Sequence, residues 1–212
     1  MLDLNPQRAR IFRIVHVANV PWILDNGVSC QNSAAQDPNY VSIGNASLID
    51  RRARRLVPIP PGGTLSDYVP FYFTPFSIMM YNIKTGYGGI TRRDNQDIVM
   101  LVSSVQRLHE LGLPFIYTNQ HAYPVDTEFY DGTDDLGQID WALLQRRDFK
   151  TGDADPGKQQ RYQAEALVHR HVPLEAVIGI GCYNETAKRG LESLLEERDA
   201  RITVKATPSW YF

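Results

Sequence analysis

Seven short apolar runs, rich in β-branched and aromatic residues, are scattered along the chain at unequal intervals: 11–17, 68–73, 97–102, 115–118, 165–168, 176–183 and 201–206. Each reads as a strand. Helical patterns separate only some of them, so the strict strand–helix alternation of an all-parallel, doubly wound sheet is excluded and an α+β domain with a mixed sheet is expected. The Gly-rich segments "GYGG" and "GIG" match neither a Walker A loop nor a Rossmann fingerprint, which disfavours nucleotide binding through those folds. With 212 residues, 43% of them hydrophobic, the chain suffices for one core and reads as one domain, 1–212.

The helices announce themselves by their ends. "NVPWILDNG" (19–27) has Asn19 as N-cap, Pro21 in the first turn and Gly27 as stop. "SSVQRLHELG" (103–112) has a serine cap and Gly112, and "NETAKRGLESLLEER" (184–198) begins at Asn184. A short helix is expected within 76–83 and another near "IDWALL" (139–144). In "NASLIDRRARRLVP" (45–58), Leu48, Ile49, Ala53 and Leu56 share a face at about 100° per residue. Arg52 lies within that face; Arg51, Arg54 and Arg55 point away. Tyr68–Phe73 reads as an aromatic strand whose Pro70 marks an edge or a bulge. From Asn119 to about Arg161 regularity is lost, and an unstructured stretch of that length inside a compact domain reads as a functional loop.

The charge balance, 22 basic against 24 acidic residues, argues against bulk binding of polyanions but allows a local basic groove. Arg51, Arg52, Arg54 and Arg55 form one basic cluster; Lys84, Arg92 and Arg93 form another. No run of apolar residues is long enough to span a membrane and no secretory leader is evident, so a cytoplasmic protein with no membrane association is expected. Cys30 and Cys182 are far apart and lack ligand spacing, so both read as inert thiols, and no metal site is expected.

Glu165 is the odd residue out, a carboxylate in the apolar run Ala164–Val168. A buried carboxylate needs a partner, water or a substrate. Taken singly, Glu165 reads as a satisfied acid, His16 as a core histidine and Arg52 as either an ion-pair partner or a site residue. His16 and Asn19, at a strand-to-helix junction, could instead hold a ligand's hydroxyl or amide. His121 opens the long loop. His169 and His171 lack further ligands, and no serine or cysteine sits in a hydrolase motif. Tyr68, Phe71, Tyr72, Phe73, Phe76, Met79, Met80 and Tyr81 read as core, with base stacking as the minority alternative.

Taken together, "RIVHVANVPWILDNG", "IGNASLIDRR", "GGTLSDYVPFYFTPFSIMMYNI", "LPFIYTNQHAYP", "QIDWALLQRRDF", "RYQAEALV" and the final "WYF" occur in one order over nearly the whole chain. This series resembles the DarT family, the toxins of DarT/DarG toxin–antitoxin systems. The resemblance implies an ADP-ribosyltransferase-like split β-sheet with peripheral helices, NAD⁺ as co-substrate in the cleft, and transfer of ADP-ribose to a base, commonly thymine, of single-stranded DNA in a short sequence context. It implies a DarG-type macrodomain antitoxin as partner.

Matched residue by residue, the resemblance makes Glu165 and Arg52 catalytic and gives NAD⁺ contacts to Arg13, Ile14, Val15, His16, Asn19 and Arg52. The NAD-binding element matches 76–93 and the active-site loop 119–164. Met79, Arg92, Arg93 and His121 are candidate DNA contacts. Arg13, Phe76, Ile78 and Asn119 depart from the commoner family residues while leaving the Glu165/Arg52 pair intact. The competing readings are a non-catalytic single-strand-binding module, or the same enzyme fold acting on RNA or protein.

Overall fold

The computed structural model describes residues 3–150 and 152–212; the expected domain of 1–212 and loop of 119–164 are therefore seen without Met1, Leu2 and Thr151. Ten strands are present among these residues: β1 Arg10–His16, β2 Val28–Ser29, β3 Tyr68–Tyr72, β4 Ile98–Ser104, β5 Phe115–Thr118, β6 Phe129–Asp131, β7 Glu165–His169, β8 His171–Val172, β9 Gly179–Cys182 and β10 Thr203–Ala206. Eight form one sheet in the order β10-β9-β4-β1-β3-β7-β5-β6, and β2 pairs with β8 apart from it. Only β9 and β10 run parallel, so the mixed sheet expected from the spacing is present.

The sheet is split down its middle. β1 pairs with β4 along its whole length, from Arg10↔Ser104 to His16↔Ile98, and β3 pairs with β7 from Tyr68↔His169 to Tyr72↔Glu165. Between β1 and β3 the one paired position is Phe12↔Tyr72. Pro70 therefore stands on an interior strand rather than at an outer edge of the sheet. It is tolerated because β1 has already peeled away: its carbonyl faces the seam, where Arg13 Nη1 donates to it at 2.9 Å, and its missing N–H faces the same gap.

Seven helices surround the sheet: α1 Val20–Asn26, α2 Ala46–Arg52, α3 Ile78–Thr85, α4 Val105–Glu110, α5 Trp141–Arg146, α6 Lys158–Arg161 and α7 Glu185–Glu196. Their starts follow the sequence. Asn45, Ser77, Ser104, Asp140 and Asn184 each accept a hydrogen bond from the third residue onward, satisfying an N–H that has no carbonyl partner within the helix. Asn19 is the exception: it stands at the N-cap of α1 without capping it. α2 ends at Arg52 rather than continuing to Pro58, so Leu56, placed on its inner face by periodicity, is 67% exposed.

The largest apolar cluster joins β1, β4 and β7 to α1, α4, α5 and α7. A smaller one gathers Ile14, Met80, Ile83 and Met100 beside α3. The segment after Asn119 is more ordered than its composition suggests. It contributes β6, α5 and α6, and buries Leu136, Ile139, Trp141, Leu143 and Leu144 in the main cluster. Cys30 and Cys182 are free and buried, and burial, with the charge of Glu185, pushes the Cys182 thiol up to about 11. Among the described residues no helix is long and apolar enough to cross a membrane.

Candidate active site

The seam between the half-sheets opens into a cleft lined by Arg13, Asn19, Arg52, Tyr72, Met79, His121 and Glu165, among others. Glu165, the first residue of β7, lies at its floor. Its backbone N–H donates to Thr118 Oγ1 at 3.2 Å, and its side chain is 2% exposed. Arg52, from the last turn of α2, reaches it with Nη1, 3.1 Å from Oε1 and 3.0 Å from Oε2. A third hydrogen bond comes from the Ala122 N–H to Oε1, at 3.0 Å. For a buried carboxylate so held, a cation and a fixed backbone dipole stand in for the hydration that burial removes.

Arg52 keeps a free donor. Its Nη2 is buried with no partner, as is Nε of Arg13 across the cleft. Unspent buried guanidinium donors facing a cavity suit an anionic or carbonyl-bearing ligand. Tyr72, directly opposite Glu165 on β3, has its hydroxyl 3.6 Å from Met79 Sδ. Burial, reinforced by the charge of Glu165, holds that phenol above its ordinary range, so it stays protonated and acts as a donor.

His121 comes within 3.9 Å of Glu165 Oε1 through Nδ1, yet this is no ion pair. Nδ1 accepts the Tyr123 N–H at 3.1 Å and so carries no proton to give. Burial first, then the charges of Arg52 and Arg51, lower the affinity of His121 for a second proton, outweighing Glu165. The ring is therefore neutral with its proton on Nε2. The His121 N–H donates to the Gln160 carbonyl at 2.9 Å, tying the start of the long loop to its end.

The other expected site residues divide. Ile14, Val15 and Met79 line the cleft with Arg13. Asn19 also lines it, but its amide is spent on Val41, donating to the carbonyl at 2.9 Å and accepting the N–H at 2.8 Å. It pins the segment that roofs the cleft and does not present its amide as a free hand. His16 is outside the lining: its Nδ1 accepts the Ala18 N–H, and burial and Arg93 lower its proton affinity. Arg92 and Arg93 follow α3 and are likewise outside the lining. Phe76 lies under the Arg147 guanidinium, 3.3 Å from the ring centre, and Asn119 bonds Glu128. His169 and His171 are remote from Glu165, and among the described residues no three His, Cys, Asp or Glu side chains gather to hold a metal.

Tyr72, Thr118 and the Ala122 N–H carry no sequence signal for the site. Tyr72 becomes a member through strand register, and Ala122 contributes only its backbone.

A split, largely antiparallel sheet whose cleft ends in a buried glutamate held by arginine defines an enzyme of the ADP-ribosyltransferase class. Residues 12–212 match the family described as DarT, ssDNA thymidine ADP-ribosyltransferase. The chain is 50% identical to a DNA ADP-ribosyl transferase of Escherichia coli O127:H6 over 210 residues, 99% of this chain and 96% of that one. Among solved structures it resembles Thermus sp. 2.9 DarT in complex with ADP-ribosylated ssDNA, with TM-score 0.90, 32% identity and full coverage of both chains (100%). It also resembles the same protein in complex with NAD⁺, with TM-score 0.86, 31% identity and coverage of 98% of this chain and 99% of that one. The chain belongs to the DarT family.

Proposed function

We propose that this chain transfers ADP-ribose from NAD⁺ to a thymine of single-stranded DNA, with Glu165 as the catalytic carboxylate. The observation that carries the reading is Glu165 itself, 2% exposed and fixed by Arg52 and the Ala122 N–H at the end of a cleft. The bond from nicotinamide nitrogen to the ribose anomeric carbon breaks, and neutral nicotinamide leaves. Positive charge develops on the sugar, and a carboxylate beside it accepts the 2′-hydroxyl hydrogen bond and offsets that charge. A ring nitrogen of thymine then bonds to the anomeric carbon and its proton passes to solvent. The free Nη2 of Arg52 stabilises the ring while it is deprotonated; a guanidinium does this by charge and does not take up the proton. The acceptor must be single-stranded, because that edge of thymine is occupied in a duplex.

In this reading Arg13, Ile14 and Val15 contact NAD⁺ at the seam. Asn19 acts through Val41, and His16 acts through the turn it caps. Met79 and His121 meet the acceptor base, and Arg92 and Arg93 meet the strand beyond the cleft. The reading puts the reaction in the cytoplasm, where both substrates occur, and makes a macrodomain hydrolase of the DarG type the antagonist, by resemblance to the toxin–antitoxin family. Purified protein is incubated with NAD⁺ and a mixed-sequence oligonucleotide and read by mass spectrometry, with RNA and protein acceptors in parallel. A gain of one ADP-ribose on thymine with nicotinamide release is expected. No gain on DNA, or preferential labelling of RNA or protein, refutes the acceptor.

A further inference from the structure

Outside the cleft, two segments that each carry a group on Glu165 run side by side. Arg51 adjoins Arg52 in the chain, and Tyr123 adjoins Ala122. The Arg51 guanidinium lies over the Tyr123 ring, 5.2 Å from its centre. Arg55 lies over Phe129 at 5.8 Å, and its Nη2 donates to the Pro124 carbonyl at 3.1 Å. Arg51 and Arg54 are exposed and Tyr123 is half-buried. Among the described residues none of these three arginines forms an ion pair with a carboxylate. Apolar surface continues the strip, with Leu56 67% and Val125 89% exposed. Three exposed acids are near in the chain, Asp50 beside Arg51, Asp126 and Glu128, and none is within salt-bridge distance of these arginines; Glu128 accepts instead from the neutral donors Asn119 and Tyr130.

We infer that Arg51, Arg54, Arg55 and Tyr123 form a track for the nucleotides flanking the modified base in single-stranded DNA, a reading that rests on the proposed function above. Unpaired cations interleaved with an aromatic ring match a strand that offers phosphates and base faces in alternation. The strip starts one residue from Arg52 on one segment and one residue from Ala122, which bonds Glu165, on the other, about 3.8 Å along each chain. Once the target base is at Glu165, its neighbour in the strand meets the Arg51–Tyr123 pair, stacking on the guanidinium plane or displacing it from the ring. Stacking there accepts any base, while the cations hold phosphates without reading sequence.

The test is steady-state labelling of a thymine-containing oligonucleotide by the whole chain, comparing wild type with Arg51→Gln/Arg54→Gln, Tyr123→Ala and Tyr123→Phe over a salt series, with thermal melting to confirm folding. For Tyr123→Ala, KM for the oligonucleotide is expected to rise about tenfold at little cost in kcat, the equivalent of removing one base stack. Tyr123→Phe, which keeps the ring, restores it. The arginine pair variant raises KM and flattens the dependence of log affinity on log salt by about 0.7 for each phosphate that is no longer neutralised. An unchanged KM and salt slope overturns the track, and so does a fall in kcat alone, which would make the strip an internal clamp on the loop. Wild-type protein that labels no DNA sinks the proposed acceptor instead, a result distinguishable from failure of the track.

Discussion

Arg52→Met should cost more folding stability than Glu165→Gln, although both break the same ion pair. Glu165 is 2% exposed and Arg52 12%, so the methionine variant strands the deeper charge. The stranded carboxylate keeps only the Ala122 N–H. Removing one partner of a buried ion pair costs about 3–5 kcal/mol. For a chain of this size each kcal/mol shifts the midpoint by about 2–4 °C, so Arg52→Met should melt roughly 10 °C below wild type. In Glu165→Gln the amide oxygen still accepts the Ala122 N–H and Arg52 can turn towards the cleft, so the loss should be smaller, about 1–2 kcal/mol. The double variant has no uncompensated charge and should recover part of the Arg52→Met loss, giving a coupling of about 1–3 kcal/mol. Urea denaturation of all four proteins at pH 7.5 measures it, and DNA labelling by Glu165→Gln should fall by about 10²–10³-fold. Additive single effects, or an Arg52→Met loss below about 1 kcal/mol, would refute the buried pairing of Glu165 with Arg52.

Asn19→Ala removes both bonds to Val41 and should cost about 1–3 kcal/mol, with a raised KM for NAD⁺ as the roof of the cleft loosens; melting and initial rates check this. Burial holds His121, His16 and His169 below the ordinary histidine value of 6.5, so each is neutral in the fold while the unfolded chain still takes up a proton near that value. Their stabilising contribution is whole above 6.5 and declines as pH falls below it towards the lowered folded values; urea midpoints should therefore drop between pH 7.5 and 5.5, less steeply in His121→Gln. At Gly181 an added Cβ would lie 2.6 Å from Trp210 Cζ3 and 2.9 Å from Cε3, so Gly181→Ala should cost about 1–3 kcal/mol by calorimetry, with Trp210 displaced.

Glu165 and Arg52 were legible because each broke a local rule, a charge in an apolar strand and an arginine on an apolar helix face. Helix starts were legible for a similar reason: Asn45, Ser104 and Asn184 are short side chains at the head of periodic segments. What escaped the sequence depends on pairing between distant segments. Nothing in "YVPFYF" states that Tyr72 faces Glu165, because register is settled across strands. Nothing marks Ala122, whose contribution is an N–H common to nearly every residue. The side chains of Asn19 and His16 suit ligand binding, and the sequence does not show that the Asn19 amide also bonds Val41 or that His16 Nδ1 also accepts the Ala18 N–H. Residues 129–131, Phe-Tyr-Asp, are too short a run to announce a strand by themselves, and they form one because β5 offers an open edge.

The long segment after β5 is fastened at its neck. The His121 N–H meets the Gln160 carbonyl, and Thr118 Oγ1 meets the Glu165 N–H, so some forty residues, edge strand β6 among them, are closed into a loop at one place. Closing a loop of that length carries an entropic cost that grows only slowly with each added residue. Insertions at its exposed turns, away from Ala122, β6 and the buried residues of α5, therefore leave the glutamate and its donors where they are. The neck uncouples the placement of Glu165 from the exposed turns of the loop, which tolerate change while the carboxylate stays where it is.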